Sequence, residues 1–184
     1  MIQPKILRAD RKTIYSAGIF LSKIRRFYDI GKEKADSSQF NAQKYVFGAC
    51  SAAAFYKRQM LTGVKEETGY FDERFFFFVE DVDLSWRAQR NAWKALFLPD
   101  VQCYHLENSS GYTDKLRQYL CFRNRYLMIE KNESFRGKIK LIFLAFWYDF
   151  PRVLYLIITN KYSENRRINA SLDLYYPYLN SRGG

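Results

Sequence analysis

The sequence predicts an α/β fold, a mixed sheet with flanking helices, and three observations carry that prediction. Residues 101–105, VQCYH, alternate like a half-buried strand, and WKALFLP before them reads as a strand ended by Pro99. Residues 45–56, YVFGACSAAAFY, are small and apolar and read as a buried strand with a turn. Helical patterns stand at residues 82–90 and 114–131.

Residues 1–43 read as loosely structured, with ILRAD and TIYSAGIFL as short strands and RRFYDIGKEKADSSQF as loop. Gly48 offers unusual backbone angles or a close approach. RQMLTGV is a short helix, and Gly69 marks a turn before FDERFF. Asp81 is placed to N-cap the helix at 82–90, and Asp83 pairs with Arg87 at i,i+4. Asn91 closes that helix in a left-handed conformation. LENSSGYTD is loop. The helix at 114–131 is expected to bury Leu116, Tyr119, Leu120, Arg123, Tyr126 and Leu127.

The 184 residues suit one main unit, taken as 1–131, and an appendage, 132–184. A hydrophobic fraction of 48% excludes a disordered chain. Cys50, Cys103 and Cys121 form no CxxC, which argues against a zinc site or disulfide framework and for a reducing compartment. The N-terminus lacks the apolar core of a secretory signal. The net charge of +11 lies in the flanks: residues 1–43 hold nine Lys/Arg against four Asp/Glu, and residues 131–184 again nine against four. The basic residues are scattered and no nucleic-acid module is visible, so nucleic acid is not the expected partner.

In the appendage, two apolar runs at 141–148 and 153–159 are separated by Asp149, Pro151 and Arg152 and bordered by Lys138, Lys140 and Lys161. Each is too short to span a bilayer. They read as a pair of amphipathic helices lying on an anionic membrane surface, with a helix packed on the core as the alternative.

The chemistry concentrates in FDERFFFFVEDVDLS, residues 71–85, where four phenylalanines run into Glu80, Asp81 and Asp83. A helix start favours negative charge, and a carboxylate between an apolar wall and a wet cleft can act as a general base. Equally, Asp81 can be only a cap, with its neighbours solvated. His105 is the single histidine, near the end of a strand; it reads either as a hydrogen-bonded structural residue or as a ligand for a divalent ion.

Read together, Gly69, Phe71, Asp72, Glu73, Phe75, Phe76, Glu80, Asp81, Asp83, Leu84 and Arg87, then Pro99, His105, Arg123 and Asn124, follow an ordered pattern. The pattern resembles the C-terminal half of family 2 glycosyltransferases of the GT-A fold, in the rhamnosyltransferase-like and galactofuranosyltransferase-like branch. Phe78 stands where that family has Tyr, and Tyr70 is an extra residue. Pro4–Ile6, Ser16–Gly18 and the small residues 48–54 extend the resemblance, which covers about residues 4–130.

The resemblance implies the acceptor-side half of an inverting glycosyltransferase of cell-surface polysaccharide synthesis. Asp81 is then the catalytic base; Glu80 and Asp83 bind the acceptor or hold Asp81, and Phe76 and Gly48 belong to the acceptor pocket. His105 completes a Mg²⁺ or Mn²⁺ site on the donor diphosphate. The donor is a nucleotide sugar such as dTDP-rhamnose or a UDP-sugar, and the acceptor a glycan or lipid-linked glycan. The expected location is cytoplasmic, peripheral at the inner face of the cell membrane. No segment resembles the nucleotide-binding half with its Asp-x-Asp motif, so the chain reads as a fragment, a split subunit or a degenerate copy, expected to be inactive alone, and a second chain supplying that half is an expected partner. The alternative is a non-catalytic truncated paralogue that binds a partner or a membrane.

Overall fold

A computed structural model describes residues 1–107 and 111–158. The fold is mixed α/β: a curled four-stranded sheet, a separate two-stranded ribbon and flanking helices. The expected residue Lys161 and the remainder of the tail lie outside the described residues.

Strand β1, Ile2–Arg8, is one of the sheet's two interior strands and is buried along most of its length. It pairs antiparallel with β2, Ile14–Ser16. Two further strands, β3 (Ile19–Leu21) and β4 (Phe27–Asp29), pair with each other as the ribbon. Strand β5, Lys44–Val46, runs antiparallel to β6, Ala95–His105, and β6 runs parallel to β1, giving the order β2-β1-β6-β5. The register jumps from Pro4↔Leu98 to Lys5↔Gln102, so residues 99–101 arch out of the ladder. Pro99 has no N–H to give a ladder, and one bulged strand replaces the two expected.

The N-terminal residues are therefore more ordered than their composition suggests. Lys5 is 2% exposed, yet its Nζ donates to both Asp36 carboxylate oxygens at 3.0 and 3.1 Å and to Asn41 Oδ1 at 2.8 Å. A buried charge needs such partners, and this one pins the segment read as loop onto the core strand. That same stretch also supplies β4.

The described residues form four α-helices: α1 (Arg58–Gly63), α2 (Glu80–Arg90), α3 (Asp114–Asn132) and α4 (Phe135–Ile158). In α2 the cap position falls to Val79, in left-handed conformation, and Asp81 lies inside the first turn. Its C-cap Asn91 has φ −96°, and the left-handed residue is Ala92. In α3 the buried face is Leu120, Asn124, Arg125, Met128, Ile129 and Asn132. Of the expected stripe, only Leu120 is fully buried. The face is turned by polar side chains with buried partners, which an apolar pattern cannot register.

Helix α4 is one helix with Pro151 inside it, where two segments were expected. Asp149, expected in a charged break between two segments, is 4% exposed. It accepts from Arg125 Nη1 at 2.7 Å and from the Tyr126 hydroxyl. Arg125 also donates to the carbonyls of Ile24 and Arg25, so one ion pair ties α4, α3 and the ribbon turn together. Leu141 joins the core beside Met128 and Ile129.

Candidate functional site

Parallel strands leave their carboxyl ends open, and ligand sites of α/β folds gather there. A cavity of about 650 Å³ lies at this end of β6, with His105 in its wall. The ribbon contributes Phe27, Tyr28 and Asp29; the 3₁₀ turn Ser51–Ala53 contributes Ser51; the start of α2 contributes Glu80 and Asp81; α3 contributes Arg117.

The aromatic run makes one wall through Phe77 and Phe78. Its backbone is strained. Phe76 has φ 61° and ψ −62°, and Phe77 N–H donates to Phe75 C=O at 2.7 Å, which is a γ-turn of the rare positive-φ kind. Phe78 and Val79 follow with φ 65° and 73°. Side chains disfavour such conformations by about 1–3 kcal/mol each, so the surroundings must hold them. Asn124 does so. Its buried amide Nδ2 donates to the carbonyls of Phe75, Phe77 and Phe78 at 2.8, 2.8 and 2.9 Å. Arg123 adds a bond to the Arg74 carbonyl at 3.0 Å. The turn throws Phe77 and Phe78 to the cavity side and delivers the chain into α2 with its acids at the cavity.

Asp81 is held from two sides. Its Oδ2 accepts from Ser51 N–H at 3.0 Å and its Oδ1 from Val82 N–H at 2.8 Å. Burial, then the adjacent Glu80 charge, push it up to about 7 despite those bonds. Glu80 is also pushed up, by burial; its Oε1 accepts from Ser51 Oγ at 3.3 Å, and its Oε2 is buried without a partner among the described residues. Ser51 thus positions both acids. Burial and the charges of Asp29 and Asp81 push the Cys50 thiol up as well.

The expected site residues separate into two sets. Asp81, Glu80 and His105 share the cavity. His105 packs against the Tyr15 ring at 4.4 Å between centroids. Asp83, Phe76 and Gly48 are not among the residues lining it. Asp83 is fully buried on the side of α2 that faces α3. Its carboxylate accepts from Arg87 Nε at 2.9 Å, Lys131 Nζ at 2.9 Å and Asn132 Nδ2 at 2.6 Å. Lys131 also meets Asp72 and Glu66, and Arg87 donates to the Tyr70 carbonyl, so the cluster latches the segment before the aromatic run to α2 and α3. The acceptor contact expected of Asp83 has no geometric support; its place is structural. Phe76 is the centre of the γ-turn, and its neighbours Phe77 and Phe78 do the lining. Gly48 serves close packing: a Cβ there would stand 2.2 Å from Ser85 Oγ.

Sequence reasoning missed Tyr15, Asp29, Lys32, Glu33 and Arg117, all at the cavity. Asp29 lay in a segment read as loop, and only its place on β4 brings it opposite Asp81. Among the described residues no three His, Cys, Asp or Glu side chains are grouped to hold a metal ion. His105 shares the cavity wall with Asp29, Glu33, Glu80 and Asp81, and no chemical step is assigned to a metal. Compared with protein-family models, curated proteins and solved structures, the chain matches none.

Proposed function

We propose that the cavity is the acceptor side of a sugar-transfer site and that Asp81 is its general base. The observation that carries this reading is that Asp81, fixed by Ser51 and Val82 N–H groups, faces a cavity walled by Phe77 and Phe78 and edged by further carboxylates. Sugars present apolar C–H faces and many hydroxyl donors. Aromatic rings and carboxylates complement those two features. A base whose proton affinity is matched to neutral pH is suited to accept a hydroxyl proton as that oxygen attacks.

In the proposed reaction the acceptor oxygen bonds to the anomeric carbon of a nucleotide sugar from the face opposite the leaving group. The bond from that carbon to the diphosphate breaks, and the nucleoside diphosphate leaves with its electron pair. Asp81 takes the proton, and the anomeric centre inverts in a single displacement. Glu80 keeps Asp81 basic through its charge, and Phe78 orients the acceptor ring. The ordered pattern from Gly69 to Asn124 supports an acceptor-side half of a GT-A glycosyltransferase as the lineage, with the donor half coming from elsewhere.

The test is binding, then transfer. Saturation-transfer NMR with a panel of oligosaccharides should show contact that Phe78→Ala weakens. Addition of a donor-binding half with a nucleotide sugar should then give product. Glycan contact without product under any donor half would leave a carbohydrate-binding module; no contact with any glycan would contradict the reading.

A further inference from the structure

Exposure differs sharply along α4. Leu141 and Asp149 are buried, and Asp149 is neutralised by Arg125. Phe135, Ile139, Ile142 and Phe143 are exposed by 78, 43, 67 and 69%. Their spacing of i, i+4, i+7 and i+8 places them on one stripe. An exposed apolar stripe of this kind marks a contact surface.

Charge decides what covers it. The sequence of α4 carries Arg136, Lys138, Lys140 and Arg152, and its one acid, Asp149, is buried in an ion pair. The outward side of the helix is thus apolar and positive, with no carboxylate of its own. A second copy docked through this stripe would bring like charges together. An anionic lipid surface complements both features: acyl chains receive the stripe and headgroups meet the basic border. Among the described residues no helix is long and apolar enough to cross a membrane, so contact along the helix is the geometry that remains for α4.

We propose that α4 seats the protein on anionic lipid, lying in the interface with Phe135, Ile139, Ile142 and Phe143 inserted and Arg136 and Lys140 at the headgroups. The Arg125–Asp149 pair ties the later part of α4 to α3. This differs from two free amphipathic segments, because the helix is docked before it meets lipid. It is also independent of the chemistry at Asp81.

Co-sedimentation of the full chain tests it, using phosphatidylcholine vesicles with and without phosphatidylglycerol. The chain should pellet with the anionic vesicles, and rising salt should weaken that binding without abolishing it. Arg136→Glu with Lys140→Glu should cost about tenfold or more in apparent affinity for anionic vesicles. Ile142→Asp with Phe143→Asp should abolish pelleting while leaving the thermal transition in place, since neither side chain is in the core. As a readout that needs no folded variant, Trp147 is 81% exposed, whereas Trp86 is buried. Anionic vesicles should therefore shift the tryptophan emission of the parent chain to the blue. Absence of both pelleting and the blue shift would overturn the proposal. So would equal pelleting by the parent and the Asp double variant. A lipid-free dimer abolished by the same double variant would assign the face to a second copy.

Discussion

Asn124 Nδ2 donates to the carbonyl of Phe78 at 2.9 Å, and the same amide reaches Phe75 and Phe77. One side chain from the middle of α3 therefore holds the strained turn that aims Phe77 and Phe78 at the cavity. The adjacency of four phenylalanines and three acids follows from this: the turn separates rings from carboxylates within a few residues. Asn124→Ala should destabilise the protein by at least about 2 kcal/mol, because buried carbonyls lose their donor. Urea denaturation measures it. A cost below about 0.5 kcal/mol would show that the turn holds itself.

Asp83 provides a second test of the latch. Removing one partner of a buried charge cluster costs about 3–5 kcal/mol. Asp83→Ala should therefore lower stability on that scale, whether or not any sugar is present. A variant as stable as the parent, yet impaired in glycan binding, would return Asp83 to the acceptor.

Asp72 sets an acid limit. Burial opposes its charge, but bonds from Arg74 and Lys131 outweigh it and hold the carboxyl well below its usual 3.8. A carboxylate lowered in the folded state stabilises fully above its unfolded value, and that contribution is lost as pH falls through the folded one. Melting temperature should drop below about pH 4, and Asp72→Asn should lower it at neutral pH while flattening that acid decline. An unchanged acid profile in the variant would place the sensitivity elsewhere.

Helices α1, α2 and α3 are legible because each carries a local pattern, whereas β1 is caught only at Ile6–Arg8 and β6 only as two separate strands. The Asp83–Arg87 pair was legible from its spacing alone. The ribbon strand β4 was not, since it is three residues long and tied down by contacts remote in sequence. The buried face of α3 was misread because Asn124, Arg125 and Asn132 are polar and become core residues only through their partners. Asp81 stands out in the sequence and lines the cavity, but its holder Ser51, 30 residues earlier, carries no signal beyond being a serine in a small-residue run. Phe76 and Gly48 were selected for position in a pattern, whereas backbone geometry turns one into a pivot and the other into a packing contact.

Asp81 also marks a site whose chemistry opposes stability. Its folded value, about 7, lies above the usual 3.8, so the folded protein holds that proton more tightly. The stabilisation is full below the unfolded value and is lost as pH rises through the folded one. Asp81→Asn, which stays neutral, should therefore raise the melting temperature more at pH 8 than at pH 5. An equal shift at both values would remove the raised proton affinity from the account.

The most direct measurement is the transfer rate of Asp81→Asn in an assembly that supplies the donor half, with glycan contact at the cavity followed in parallel by saturation-transfer NMR. The account predicts a fall of about 10² to 10⁴ in rate with glycan contact retained. Turnover within about tenfold of the parent would contradict it, because general-base loss costs more than that.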